Sequence, residues 1–298
     1  MNLTGNIVLN AYSILLLVII YVLSLKQEEK ESLQNKVYIY MVKSTMLLLI
    51  VDVMGRFDGK PDTIYFFINH IGNYLVFILN LSVPSFWLLY VYLQMKGKEA
   101  NTKRLIGGLV GINIFYIAMV SFSLPYGLFY SINSENIYQR GPFYPFIVLG
   151  TVAMMIAAYV IIIRNRNEIE KKQYYALAFF ALPPALGTIL QILIYGTAFM
   201  LNSAVLSLLV IYLNIQNQSI HSDYLTGISN RKKLDTYLRK KISTSNEKQT
   251  FAGMMIDLND FKKINDEFGH DVGDNALKTA TRILCSCLRF SDFIARFG

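Results

Sequence analysis

Apolar runs long enough to cross a bilayer fill the chain almost to residue 216, and they constrain the fold more than any other feature. A stretch of about 18 or more apolar residues reads as a transmembrane helix, because a helix satisfies its own backbone polar groups where no water can. The runs lie at roughly 7–25, 37–54, 64–93, 105–123, 145–163, 174–195 and 199–215. The first has neither a positive n-region nor a small-residue cleavage site, which predicts a retained span rather than a signal peptide. The third is long enough to tilt or to begin in the interface. Pro183 and Pro184 predict a kink in the sixth. Leu206, Leu209, Leu213, Gln216 and Ile220 fall at alternating spacings of three and four, which suits either a coiled-coil seam leaving the membrane or a lipid-facing stripe.

Charge sorts the connectors into two sets. One holds Lys26, Lys30, Lys36, Lys96, Lys98, Lys103, Arg104, Arg164, Arg166, Lys171 and Lys172; the other holds only Arg56, Lys60 and Arg140. The richer set should be cytoplasmic, with the N-terminus outside the plasma (inner) membrane and the C-terminus in the cytoplasm. This distribution accounts for much of the formal net charge of +8 without a nucleic-acid partner. Tyr126, Phe129, Tyr130, Tyr138, Phe143 and Tyr144 crowd the 124–144 loop as an aromatic belt would. Lys43, Asp52, His70, Asn80, Asn113 and Gln191 lie inside spans. They line a ligand pocket or ion path, or else Lys43 snorkels, Asp52 and His70 sit near the interface and the amides bridge helices. Without a repeated acidic or histidine ladder, a pump or transporter is poorly supported. Cys285 and Cys287 lack the ligand count of a zinc site and read as ordinary thiols of a reducing compartment.

After the last span the character changes. Ser229 or Asn230 should cap a helix beginning RKKLDTYLRKK. FAGMMIDLNDFKKINDEFGHDVGD, residues 251–274, then opens with a short apolar run that predicts a buried strand, with Asp257 where that strand meets solvent. Asn265, and Asp274 beyond Gly269, add an amide and a carboxylate around one small pocket.

This phrase resembles the first half of the GGDEF domain of diguanylate cyclases, and DYLTGISNRKKLD, residues 223–235, resembles the opening of the same domain. The implied fold is an all-α polytopic bundle followed by a partial α/β, nucleotidyl-cyclase-like domain: a seven-helix sensor region over 1–216, a helical linker over 217–222 and the N-terminal half of a GGDEF domain over 223–298. The resemblance implies that Asp257 and the Leu258 carbonyl hold Mg²⁺ (or Mn²⁺), that Asp260 and Phe261 with Lys262 offer backbone amides to a triphosphate, and that the Lys262 ammonium stabilises charge during catalysis. It assigns guanine reading to Asn265 and Asp274, places His270 beside the nucleotide, and gives Asp223, Asn230 and Arg231 structural roles. Asn259 departs from the family's frequent second aspartate at a position not expected to bind metal. The implied reaction joins two GTP into cyclic di-GMP and requires a homodimer, through the domain and the linker, under an unknown small ligand or membrane stimulus.

The chain ends at IARFG, where the family's signature begins, and that signature would supply a further glutamate ligand; the expectation is inactivity for this stretch alone and activity for the intact protein. The alternative is a non-catalytic receptor that binds GTP or dimerises only.

Overall fold

A computed structural model describes residues 3–25, 32–57, 59, 63–95, 99–167, 169, 171–193, 199–246, 250–289 and 292–298. The chain forms two compact units, 1–214 and 215–298. Lys26, Lys30, Lys60, Lys96 and Lys98, and the side chains of Lys172 and Gln191, lie outside the described residues.

The first unit is helical: α1 (Leu3–Ser24), α2 (Leu33–Met54), α3 (Thr63–Leu79), α4 (Ser82–Gln94), α5 (Glu99–Ser123), α6 (Tyr144–Arg164), α7 (Lys171–Phe179), α8 (Leu182–Leu193) and α9 (Phe199–His221), whose last turns enter the second unit. Its described helices supply seven candidate membrane spans. Helix α2 packs against α1, α3 and α4, and α4 also packs against α6. Ser32 starts α2 by accepting the Asn35 N–H. From there α2 buries Val37, Tyr38, Met41, Val42, Leu48 and Leu49.

The third span is broken rather than simply tilted: α3 and α4 flank Asn80–Leu81. Pro84 has no N–H to return to the Asn80 carbonyl, so the helical ladder lapses there. The predicted kink in the sixth span is a break of the same kind, between α7 and α8. Pro184 leaves the Phe180 carbonyl without its intrahelical donor, and Ser207 of α9 donates to that carbonyl at 2.6 Å. Trp87 stacks on the Phe180 ring at 3.9 Å and closes the gap.

Buried polar groups tie the helices laterally. Asn10, fully buried, donates to the Leu49 carbonyl and to Asp52 Oδ2, each at 3.1 Å. It accepts from Asn202 of α9 at 2.9 Å. Arg56 clamps both Asp52 oxygens, at 3.2 and 2.9 Å. Tyr38 donates to the Leu208 carbonyl at 2.9 Å. Asn113 bridges α5 to Ser85 of α4, and Asn80 reaches Thr151 of α6. Lys43 is exposed on the bundle exterior, with its ammonium 5.4 Å from the centre of the Tyr21 ring.

The 124–144 segment is more than an aromatic belt. It contains an antiparallel hairpin, β1 (Tyr130–Ile132) and β2 (Tyr138–Arg140), in the register Tyr130↔Arg140. Asn133 Oδ1 accepts the Glu135 and Ile137 N–H groups to make the turn. Asn136, in the left-handed region at φ +59°, is buried. It accepts from Asn69 of α3 at 2.9 Å and donates to the Phe57 carbonyl. Phe129 and Tyr130 are therefore buried, whereas Tyr126 and Phe143 are exposed as a belt requires. The Tyr130 ring lies 4.6 Å from Phe77, which supplies the apolar side of the hairpin.

Along α9, Val205, Leu208, Ile211 and Ile215 are buried, and the predicted seam residues Leu206, Leu213 and Ile220 are exposed. Leu209 and Gln216 of the same seam are half-buried, so only part of it is an outward stripe.

Asn10→Ala would strip a donor from Asp52 and an acceptor from Asn202 in a place water does not reach. The expected loss is about 1–3 kcal/mol of stability, read as a lower thermal unfolding midpoint in lipid nanodiscs; an unchanged midpoint would refute a structural role for the network.

Candidate functional site

The second unit carries α10 (Arg231–Thr244), α11 (Phe261–Phe268) and α12 (His270–Cys287). Asn230, not Ser229, caps α10 by accepting the Lys233 N–H at 3.1 Å. The 223–230 phrase is a closed turn: Asp223 N–H donates to the Ile228 carbonyl at 2.7 Å, and Gly227 N–H donates back to Asp223 at 2.9 Å. The Asp223 carboxylate accepts from the Thr226 N–H and hydroxyl and, at 3.2 Å, from Arg296. Burial raises the Asp223 pKa, but these donors outweigh it and hold the carboxyl below its ordinary value. Arg296 also returns its N–H to the Ser229 carbonyl at 2.8 Å. Tyr237 stacks on Phe293 at 4.0 Å and Arg231 covers the Phe297 ring at 4.4 Å, which fastens α10 to the same tail. Arg296, Phe293 and Phe297 were not legible from the sequence, because nothing in the local pattern links them to residues so far upstream.

The predicted strand over 251–256 is not formed. Residues 250–258 have no assigned element, and Met254 is 86 % exposed. A strand exists only through ladder bonds to a neighbour, and among the described residues this segment has none. Asp257 is thus an exposed carboxylate on an unpaired arm, with Leu258 half-buried beside it.

Beyond the arm the backbone is sharply specified. Asp260 takes the left-handed conformation at φ +54° and starts α11 without a side-chain cap bond. The first turn of α11 therefore offers its N–H groups, those of Phe261 and Lys262 among them, at the positive end of the helix dipole. The Lys262 side chain is exposed, whereas Lys263 pairs with Glu267 at 3.8 Å. Gly269 separates α11 from α12 at φ +85°, ψ 161°, a region essentially closed to side-chain-bearing residues. Its N–H returns to the Asn265 carbonyl at 2.9 Å. His270 begins α12 and is exposed.

Helices α11 and α12 pack together. The Asn265 amide lies directly over Gly273: a Cβ there would overlap Asn265 Oδ1 and would stand 3.4 Å from the Phe261 ring. The structure therefore brings Asn265 against the turn of α12 that carries half-buried Asp274. It links Asp257 to neither residue by a hydrogen bond or ion pair. Among the described residues, no three His, Cys, Asp or Glu side chains cluster as a metal site. The donors present, an exposed carboxylate and a carbonyl, are hard oxygens that fit Mg²⁺ or Mn²⁺ as a partial set, completed by phosphate oxygens and water.

Residues 220–298 match the family described as "Diguanylate cyclase, GGDEF domain". Residues 7–219 match "N-terminal 7TM region of histidine kinase". The C-terminal part is 44 % identical over 77 residues to "Probable diguanylate cyclase DgcC" of Escherichia coli (strain K12), covering 26 % of this chain and 21 % of that one. It is 39 % identical over 88 residues to "Diguanylate cyclase DgcP" of Pseudomonas aeruginosa, covering 29 % and 13 %. It is 37 % identical over 82 residues to "Response regulator PleD" of Caulobacter vibrioides, covering 26 % and 17 %. The chain thus spans only 13–21 % of the length of these relatives. No solved structure matches it.

Gly269→Ala is expected to cost about 1–3 kcal/mol, since alanine cannot hold that backbone without strain; equal unfolding midpoints would show that the turn relaxes freely. Ionised Asp223 contributes stability above about pH 3.9, the ordinary carboxyl value, and that contribution is lost as pH falls through its lowered folded value. The protection factors of the Thr226 and Arg296 amides, taken relative to the intrinsic exchange rate at each pH, should therefore fall in acid, and Asp223→Asn should flatten that dependence.

Proposed function

The chain belongs to the family of the N-terminal 7TM region of histidine kinase and carries a GGDEF domain after it, and from that premise we propose that it serves as a membrane-bound diguanylate cyclase under sensory control. The observation that carries the reading is the seat of Asn265 over Gly273, next to Asp274, within the stretch that matches the cyclase domain. An amide and a carboxylate on facing helices suit the acceptor and donor edge of guanine. The uncapped start of α11 suits a triphosphate, because its N–H groups and dipole favour anions. Lys262, exposed on that first turn, is placed to offset charge on the phosphates.

Asp257 and the Leu258 carbonyl would hold Mg²⁺ or Mn²⁺, which when bound supplies Lewis acidity at the phosphate oxygens. His270, at the head of α12, would flank the nucleotide. In the proposed reaction the 3′-hydroxyl of one GTP displaces pyrophosphate from the α-phosphorus of the other, and the exchange is repeated to close the ring. Two domains must face each other for this, and the outward stripe Leu206–Leu213–Ile220 supports pairing through α9. The loop charges support a plasma-membrane orientation with the N-terminus outside and the cyclase domain in the cytoplasm, where GTP is supplied.

The intact protein in liposomes is expected to convert labelled GTP to cyclic di-GMP. Asn265→Ala and Asp274→Ala should each weaken GTP binding by about 10- to 100-fold, the usual size of a lost hydrogen bond to a buried polar or charged partner. Asp257→Asn should abolish turnover while binding largely persists. Tight GTP binding with no product from the unmodified protein would favour a non-catalytic receptor, and wild-type affinity in both base-reading variants would refute the site.

A further inference from the structure

We infer that α10 is a docking surface for the anionic headgroups of the membrane that holds the first unit. The helix RKKLDTYLRKKIST carries six cations against the single carboxylate of Asp235. Its two sides do different work. Leu234, Tyr237 and Leu238 are half-buried, and Tyr237 is stacked on Phe293. Arg231 lies over Phe297 at one end of that contact. The apolar side is therefore spent on holding the unit together.

Lys232, Thr236, Arg239, Lys240 and Ser243 recur at helical spacing on the opposite side, and all are exposed. Among the described residues, no carboxylate is paired with Lys232, Arg239 or Lys240. A solvated basic helix would look the same if it stood alone. What distinguishes α10 is its tether. The last span ends at Asn217 and α10 begins at Arg231. Even fully extended, the connecting residues reach only about 50 Å, so the helix is confined near a lipid surface at high effective concentration. Clustered Lys and Arg just beyond a span meet the negative potential of an anionic leaflet.

Because the apolar side is occupied, attraction must come from charge rather than insertion. Ile242 is the one large apolar side chain of α10 that is strongly exposed, and it lies at the edge of the basic face. The docking is therefore sensitive to salt and to headgroup charge, and it needs no nucleotide. Its outcome is separate from that of any GTP measurement.

The test uses the whole chain in nanodiscs of phosphatidylcholine, with or without phosphatidylglycerol, and a trace of lipid bearing a headgroup quencher. A fluorophore is placed at Thr236→Cys in a Cys285→Ser, Cys287→Ser background; a control label uses the exposed Cys285 on α12 with Cys287→Ser. Quenching at position 236 should rise with phosphatidylglycerol and exceed that at 285. It should fall back at about 1 M salt, where the screening length shrinks to about 3 Å. Each cation removed should lower the docking equilibrium constant by about fivefold. The Lys232→Gln, Arg239→Gln, Lys240→Gln variant should lose nearly all docking, and the charge-reversed Glu variant should behave likewise. Equal quenching in the two lipids, indifference to salt, or parental quenching in both triple variants would overturn the proposal.

Discussion

Within a bilayer a polar group finds a protein partner or goes without, and this rule organises the membrane unit. Asn10 is the plainest case. Its amide hydrogens go to the Leu49 carbonyl and to Asp52, and its oxygen takes a hydrogen from Asn202. Asp52 in turn is neutralised by the two-pronged contact from Arg56. The break at Pro184 obeys the same rule. Pro184 frees the Phe180 carbonyl, and Ser207 takes its place as donor. Each arrangement fixes one helix against another at a definite height, which apolar packing between lipid-like side chains does only loosely.

Helix α9 collects several of these ties. Asn202 joins it to α1, Ser207 to the α7–α8 break and the Leu208 carbonyl to Tyr38 of α2. Ser207 and Leu208 lie on or beside its buried side, whereas half-buried Asn202 lies in line with Leu206, Leu213 and Ile220, which are exposed. One helix thus has its axial position set from within the bundle while Leu206, Leu213 and Ile220 stay exposed.

The second unit contains a heavily bonded turn and an exposed phrase. The 223–230 turn is saturated with internal bonds and is anchored to Arg296. The 257–274 phrase does the opposite: Asp257, Asp260, Lys262 and His270 are exposed, and α11 begins uncapped. Backbone strain gathers in that phrase as well, at left-handed Asp260 and at Gly269.

Sequence alone determined the spans, their number and the phrase that matches the cyclase domain, because each is written locally: hydrophobic length for the spans, residue type at fixed spacing for the phrase. It also located the sixth-span break, since proline acts on its own backbone. The Pro84 break went unread because the apolar run continues across it. Asn10, Asn69 and Asn202 went unread for a different reason. An amide in a span looks the same whether it faces lipid or a partner, and only the packed bundle decides which. The same holds for the 251–256 run, whose composition suits a strand but whose pairing depends on neighbours, and for Arg296, whose bond to Asp223 joins residues far apart in the chain. Tertiary structure decided these points because a hydrogen bond needs two groups in one place, and one stretch of sequence specifies only one of them.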